Sequence, residues 1–600
     1  MILIRYIFLY FIIIFPGIFL SDKFNKKIEK TIPIGLISIS ILIYLFGIIN
    51  LLQIGVVITC AISIILFLYV LTKNIRNKTI YNLKENITTP AFMFFTVIFF
   101  IFSIVTLNRE LTNWDQFSYW SITAKDMFYT NRFPLSISEI SLYPPVPVTL
   151  QYFFMKIIGR YIQGIEIFTT WILGFLMLIP LFDKSNGKKI TNFIIGIIIL
   201  CIPAVFSMLI FYESSYPDAL LGILIGYISY IYFFEEDSKF KMLNLIMALT
   251  LLTLTKATGF VISIILILTF ILYQILNNRK NGELKENLKK IFIFLFIIIV
   301  TFATWKVYLN INNNFKSNEP NNTTSLKTIT QSFITTVFGV YRENNDVADS
   351  NGKLIEKLYN VTEISTPVKI SALGVITIYV VIMLIYYNKT DEKVKIRNII
   401  ISIFTGLILY ICALQLAYIT QFSNKEMLAH DGMERYIATY LLGLLYFIIA
   451  IILDKCKLEN RNYFYILLAS VIIMITPLNS LANASITSGI YNINSTLYCN
   501  IGRQKAEYIL NNIEPNKKVL GICQESKIKL VNLMVRYYMY PEYYKVLDAF
   551  NDENELKSIV EEKGYDYIYV ISSDEKIDEY LKELLHVQTI KKYELYKIEK

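Results

Sequence analysis

The chain has 600 residues, 55% of them hydrophobic and 17% charged, with a net charge of +10 and a mean hydropathy of +0.50. A soluble protein carries about 25% charged residues, and one soluble core cannot house this many long apolar runs, so a soluble globular chain is excluded. The excess positive charge sits in short loops beside apolar runs and does not point to nucleic acid.

Taken in order, apolar runs long enough to cross ~30 Å of hydrocarbon as helices fall at about 3–20, 32–50, 54–72, 90–107, 165–183, 190–210, 217–234, 242–255, 258–276, 291–309, 369–387, 398–418, 435–453 and 463–481. The reading is an all-α polytopic membrane protein with about 13–14 transmembrane helices and a small C-terminal α/β domain. The first run follows Arg5 but lacks a small-residue cleavage pattern, so it reads as a retained span. Basic loops recur at Lys23/Lys26/Lys27/Lys30, Lys73/Arg76/Lys78/Lys84, Lys184/Lys188/Lys189, Lys239/Lys241, Arg279 to Lys290, Lys389 to Arg397 and Lys455/Lys457/Arg461. The proposed spans put all of them on one side, which the positive-inside rule makes cytoplasmic. Both termini and the loops 108–164 and 310–368 then lie outside. Residues 146–158 are apolar but too short to cross, and read as a juxtamembrane or re-entrant helix.

This divides the chain into 1–89, three N-terminal spans; 90–485, the main transmembrane domain; and 495–600, an extracytoplasmic α/β domain. In the last of these, Lys518–Cys523 and Tyr565–Ile571 read as buried strands, and 553–564 as a helix closed by Gly564. The Asn-rich stretch 310–324 reads as a mobile loop. The six cysteines show no metal spacing, and Cys499 and Cys523 read as unpaired. The only histidines are His430 and His586, which argues against a His-rich metal site.

Candidate chemistry concentrates in Asn113–Pro147. Asp115, Tyr119, Ile122 and Asp126 are spaced i, i+4, i+7, i+11, so a helix would put both carboxylates on one face. Alternatively, Asp115 merely complements a helix N-terminus. Glu213 and Asp218 lie on the same side, with Pro217 suited to open a helix before Asp218. Two cations join them. Lys256 interrupts a long apolar stretch beside Gly259, and either snorkels or serves a site. Arg435 opens a late span on the outer side, against the local charge trend.

These residues resemble the GT-C superfamily of membrane glycosyltransferases, nearest the branch of protein O-mannosyltransferases and the lipid A aminoarabinose transferase. The likeness rests on Trp114-Asp115-Gln116, Ala124-Lys125-Asp126-Met127, Tyr143-Pro144-Pro145-Val146, Tyr216-Pro217-Asp218, Lys256 to Gly259 and Arg435-Tyr436, and spans about 90–600. Three extra spans precede the family's usual first one. Tyr143 stands where several relatives have Lys or His, and no Pro follows Arg435-Tyr436. The resemblance implies a sugar carried on a polyprenyl phosphate, since an external site has no nucleotide sugars. It implies an envelope glycan, glycolipid or protein as acceptor, and Asp115 as general base. Lys256 and Arg435 would bind the donor phosphate, and Asp126, Glu213 and Asp218 would position the acceptor or a divalent cation. Trp114, Tyr119, Tyr143 and Tyr436 would line the pocket. Metal use varies among the relatives, so no cofactor is assigned. The alternatives are a transporter or flippase, which favours internal repeats and midplane charges, and an O-antigen ligase or polymerase, whose key residues lie in a large late loop.

Overall fold

The structure is a computed structural model. It describes residues 2–134, 143–278, 284–312, 370–422, 432–458, 462–487, 497–525, 528–547 and 553–598, with residue 430 and scattered residues between 330 and 367. Most of the 310–368 loop, the 313–324 part of the Asn-rich stretch and residues 135–142 of the 108–164 loop therefore lie outside the described residues.

Each expected apolar run is a helix, because without water its backbone groups must pair internally. In chain order these are α1 (Ile2–Phe24), α2 (Ile28–Ile48), α3 (Leu52–Arg76), the short α4 (Ile80–Ile87) and α5 (Pro90–Val105). Next come α6 (Ser121–Thr130), α7 (Val146–Ile158), α8 (Gln163–Leu178), α9 (Lys189–Cys201) and α10 (Ile210–Glu213). They are followed by α11 (Asp218–Phe234), α12 (Lys239–Thr253), α13 (Ala257–Asn278) and α14 (Leu284–Asn312). The last of the membrane part are α15 (Ala372–Lys389), α16 (Lys393–Gln421), α17 (Met433–Leu458), α18 (Asn462–Ile475) and α19 (Leu478–Ala482).

Among the described residues, nine helices are long and apolar enough to cross a membrane, or eleven if each of two bent pairs is one span. The expectation of about 13–14 is higher because α9, α11 and α12 have only 13, 17 and 15 residues. At 1.5 Å per residue these measure roughly 20–26 Å, short of the ~30 Å core. For α11 the reason is its place in the bundle. Every residue from Asp218 to Tyr232 is buried, so its length is set by protein neighbours rather than by lipid. Helix α7, with 13 residues, is likewise buried, packed on α2, α6 and α8.

The central pair is α11 against α17. A Cβ on Gly222 would come within 2.6 Å of the Thr439 carbonyl oxygen, and one on Gly226 within 2.5 Å of Tyr446 Cβ. From the other side, a Cβ on Gly443 would meet Ile225 Cγ2 at 2.6 Å. Small residues four apart let the two backbones approach, as in close-packed membrane helices. One turn before Gly222 stands Asp218, and one turn before Thr439 stands Arg435, so this packing brings the two charges together.

The basic loops gather at the other end of the bundle. Lys26 and Lys30 hold Glu235 at 2.9 and 3.0 Å, Lys30 reaches Asp183 at 3.3 Å, and Lys184 meets Asp454 at 2.5 Å.

The C-terminal domain contains α20 (Leu497–Asn512), β5 (Val519–Cys523), α21 (Lys529–Met539), β6 (Tyr544–Leu547), α22 (Glu553–Lys563), β7 (Tyr567–Ser572), α23 (Glu575–Leu585) and β8 (Glu594–Lys597). Two short antiparallel pairs precede it, β1 (Val347–Ala348) with β2 (Leu354–Ile355) and β3 (Glu363–Ile364) with β4 (Ile370–Ser371). The sheet order is β6-β5-β7-β8, with β5 parallel to both neighbours and β8 antiparallel to β7. All residues of β5 and β7 are buried, which is why they read as unbroken apolar runs rather than alternating ones. Gly564, at φ +57°, follows α22. Cys499 and Cys523 are not joined in a disulfide.

Candidate active site

At the α11 end that carries Asp218, a cavity of about 320 Å³ opens between the loop that follows α5, the α12–α13 turn and the start of α17. Its walls include Asp115, Ser118, Tyr119, Tyr143, Lys256, Arg435 and Tyr436.

The loop enters this cavity through an unusual turn. Residues Gln116–Trp120 form a π-helical turn that runs into α6. Gln116 is fully buried, and its side-chain oxygen accepts from the backbone N–H groups of Thr112 and Asn113 at 3.2 and 3.0 Å. That reach-back does the work of a capping residue and fixes the chain on either side of Asp115. The Asp115 backbone N–H donates to Tyr216 Oη at 2.8 Å. Its carboxylate is left at the cavity, with the side chain 42% exposed.

The wide turn has a second effect. The i, i+4, i+7, i+11 spacing presumed an unbroken α-helix and put Asp126 on the same face as Asp115, about three turns deeper. The structure separates them. Asp126 is buried against the C-terminal domain, where its carboxylate accepts from the Tyr540 hydroxyl. Burial raises its pKa from 3.8 to about 6, against the pull of that bond. It does not line the cavity.

The cations are held by one buried acid. Asp218 opens α11, where the helix N-terminus favours a negative charge. One oxygen takes Lys256 Nζ at 3.0 Å, and the other faces Arg435 Nε at 3.6 Å. Arg435 Nη1 reaches Asp115 at 3.7 Å. Both arginine contacts are longer than hydrogen bonds, and among the described residues the buried Nε has no hydrogen-bond acceptor. Lys256 precedes α13 in a turn closed by the Gly259 N–H to the Lys256 carbonyl at 2.8 Å. A Cβ on Gly259 would lie 2.0 Å from the Leu252 carbonyl oxygen, so a glycine is required there.

Aromatic rings frame the charges. Lys256 lies over Tyr143 and Tyr436 at 5.9 and 5.5 Å, and Arg435 over Tyr216 and Tyr436 at 5.2 and 5.4 Å. Tyr143 stacks on Trp120 at 5.6 Å with a 7° interplanar angle, and meets Tyr119 edge-on at 5.1 Å. The Asp115 carboxyl is raised by burial, while Arg435 and Lys256 pull it back down.

The remaining expected site residues stand elsewhere. Trp114 is exposed and outside the cavity wall. Glu213 faces Arg109, whose cation offsets part of the rise that burial causes in its pKa. Arg109 in turn donates to the Ala484 carbonyl. Among the described residues, no three His, Cys, Asp or Glu side chains gather where they could hold a metal ion. The sequence reading did not single out Tyr216, Ser118, Trp120, Phe422 or Gly432, which line or support the cavity. Tyr216 stands in the quoted Tyr216-Pro217-Asp218, but nothing in that motif indicates a bond to the Asp115 backbone.

No family model matches the chain, and no curated protein matches it. Two solved structures similar to it are of ArnT from Cupriavidus metallidurans. The one bound to undecaprenyl phosphate has a TM-score of 0.48 at 10% identity, over 84% of this chain and 97% of that one. The apo state has a TM-score of 0.41 at 12% identity, over the same 84% and 97%.

Proposed function

We propose that the chain is a GT-C-type membrane glycosyltransferase that moves a sugar from a polyprenyl-phosphate donor to a cell-envelope acceptor, at the outer face of the plasma membrane. The supporting observation is a cavity that carries a half-exposed carboxylate, Asp115, beside two cations, Lys256 and Arg435, anchored by Asp218. The acceptor hydroxyl oxygen attacks the anomeric carbon. The bond from that carbon to the phosphate oxygen breaks, its electron pair leaves with the polyprenyl phosphate, and the hydroxyl proton goes to Asp115. Burial makes Asp115 a stronger base than a solvated aspartate, and the two cations offset part of that rise. Arg435 Nε, which has no hydrogen-bond acceptor among the described residues, and Lys256 meet the charge that grows on the departing phosphate in a partly dry site. Glu213 and Asp126, outside the cavity, take no part in this step.

The test uses the purified full-length protein in liposomes with a polyprenyl-phosphate sugar and an acceptor glycolipid. Formation of glycosylated product and free polyprenyl phosphate is expected. Release of neither across a panel of sugars and acceptors, or donor translocation without transfer, would favour a flippase. Membrane-impermeant labelling of a cysteine at Ser573 checks the side: the reading requires labelling of intact cells.

A further inference from the structure

We infer that Arg536, in the C-terminal α/β domain, is a positioning residue for Asp115. It ties that domain to the π-helical turn Gln116–Trp120 and keeps the turn wide. The inference deepens the proposed function and rests on Asp115 being the base.

The Arg536 Nη2 group donates to two carbonyl oxygens of that turn, Phe117 O and Ser118 O, both at 3.0 Å. Ser118 and Tyr119 line the cavity, and Asp115 immediately precedes the turn. A π-turn is rarer than an α-turn and occurs mostly at functional sites. Two charge-assisted bonds to its carbonyls favour the wide form.

The support is firm on the other side. Helix α21 is pinned to the sheet by Asn532 Nδ2, which donates to the Gly521 carbonyl at 3.2 Å, and by Tyr544 Oη, which donates to Asn532 Oδ1 at 2.6 Å. The same helix follows the loop onward. The Tyr537 ring meets Phe117 edge-on at 5.2 Å, its carbonyl accepts from Lys125 Nζ at 2.6 Å, and the Tyr540 hydroxyl bonds Asp126. Upstream of the cavity residues, Arg503 holds Glu110 at 2.5 Å. The stretch from Glu110 to Asp126 is thus gripped at both flanks by a domain that places no residue in the cavity wall.

Released, the turn relaxes toward α-helix. That change shifts the register by one residue, about 100° of helical rotation, and turns Asp115 off the cavity. Both bonds come from one nitrogen, Nη2, which the rigid guanidinium plane aims at the pair; a lysine ammonium keeps the charge but not that fixed aim.

The experiment compares Arg536→Gln, Arg536→Lys and Arg503→Gln in the full-length protein. Arg536→Gln is expected to lower kcat by about 10- to 100-fold, the cost of misplacing a reacting group by ~1 Å, with donor KM within about twofold. Arg536→Lys should fall between, and gives the same comparison should Arg536→Gln not fold. Arg503→Gln, which cuts the domain contact away from the turn, should keep most of kcat. Hydrogen exchange of the 116–120 amides should quicken in the Arg536 variants and not in α17. Unchanged exchange there, or an equal kcat loss in Arg503→Gln, overturns the inference. Full turnover by Asp115→Asn, with exchange behaving as expected, instead overturns the base assignment and leaves the tie to the turn intact.

Discussion

Asp115 and Asp218 both stand at the start of helical segments, and both face Arg435, yet their surroundings differ. Asp218 is 4% exposed and holds Lys256 at 3.0 Å, while Asp115 is 42% exposed and meets Arg435 only at 3.7 Å. A fully paired acid has no free oxygen for a substrate proton and serves as an electrostatic anchor. An acid with one loose partner at a cavity can take a proton. The difference teaches that two acids of like sequence context divide the work through burial and partners.

The comparison breaks most sharply at Asp115. Asp115→Asn keeps the shape and removes the proton acceptor, so turnover should fall by about 10²–10⁴. Near-native turnover would reduce Asp115 to a helix-start acid.

Asp218→Asn should act on stability first. Removing one partner of a buried pair leaves a buried charge uncompensated, a loss of about 3–5 kcal/mol, read as a lower unfolding midpoint in detergent. An unchanged midpoint would mean that Lys256 finds other partners.

The cations sharpen the contrast. Arg435→Lys should lower turnover by about 10- to 100-fold, because one side chain can no longer bridge two carboxylates and a phosphate. Lys256→Met should raise the donor concentration needed for half-maximal rate more than the acceptor concentration. It also removes a cation that lowers the Asp115 pKa, so the acid limb of the pH–rate profile should move to higher pH. Donor dependence and a pH profile like those of the unsubstituted protein would detach Lys256 from the site.

The smallest effect belongs to Asp126. Asp126→Asn should leave turnover within a few-fold, since its carboxyl bonds Tyr540 rather than lining the cavity. Its signature is in stability. The folded-state pKa, about 6, lies above the ordinary 3.8. Between those values the folded state binds more protons, so this group makes stability fall as pH rises. Unfolding midpoints across pH 4–6 should therefore flatten in Asp126→Asn, and an unaltered slope would place the titration elsewhere.

Runs of apolar residues are a one-dimensional property, and the sequence by itself determined them. The helices follow the expected runs because lipid demands internal backbone pairing. The sheet strands Val519–Cys523 and Tyr567–Ser572 were legible for a similar reason, since burial on both faces leaves an unbroken apolar run. Asp115, Asp218, Lys256 and Arg435 were also legible as types, because a charge at an apolar boundary is costly and stands out. Their meeting was expected from the resemblance alone, not from any local pattern. It depends on Gly222, Gly226 and Gly443 bringing α11 against α17, and a glycine's value lies in what approaches it, which no local pattern states. The separation of Asp115 from Asp126 was hidden. Periodicity presumes a single helical pitch, and only the tertiary structure places a π-turn between them, bonded at two carbonyls by an arginine more than four hundred residues along the chain.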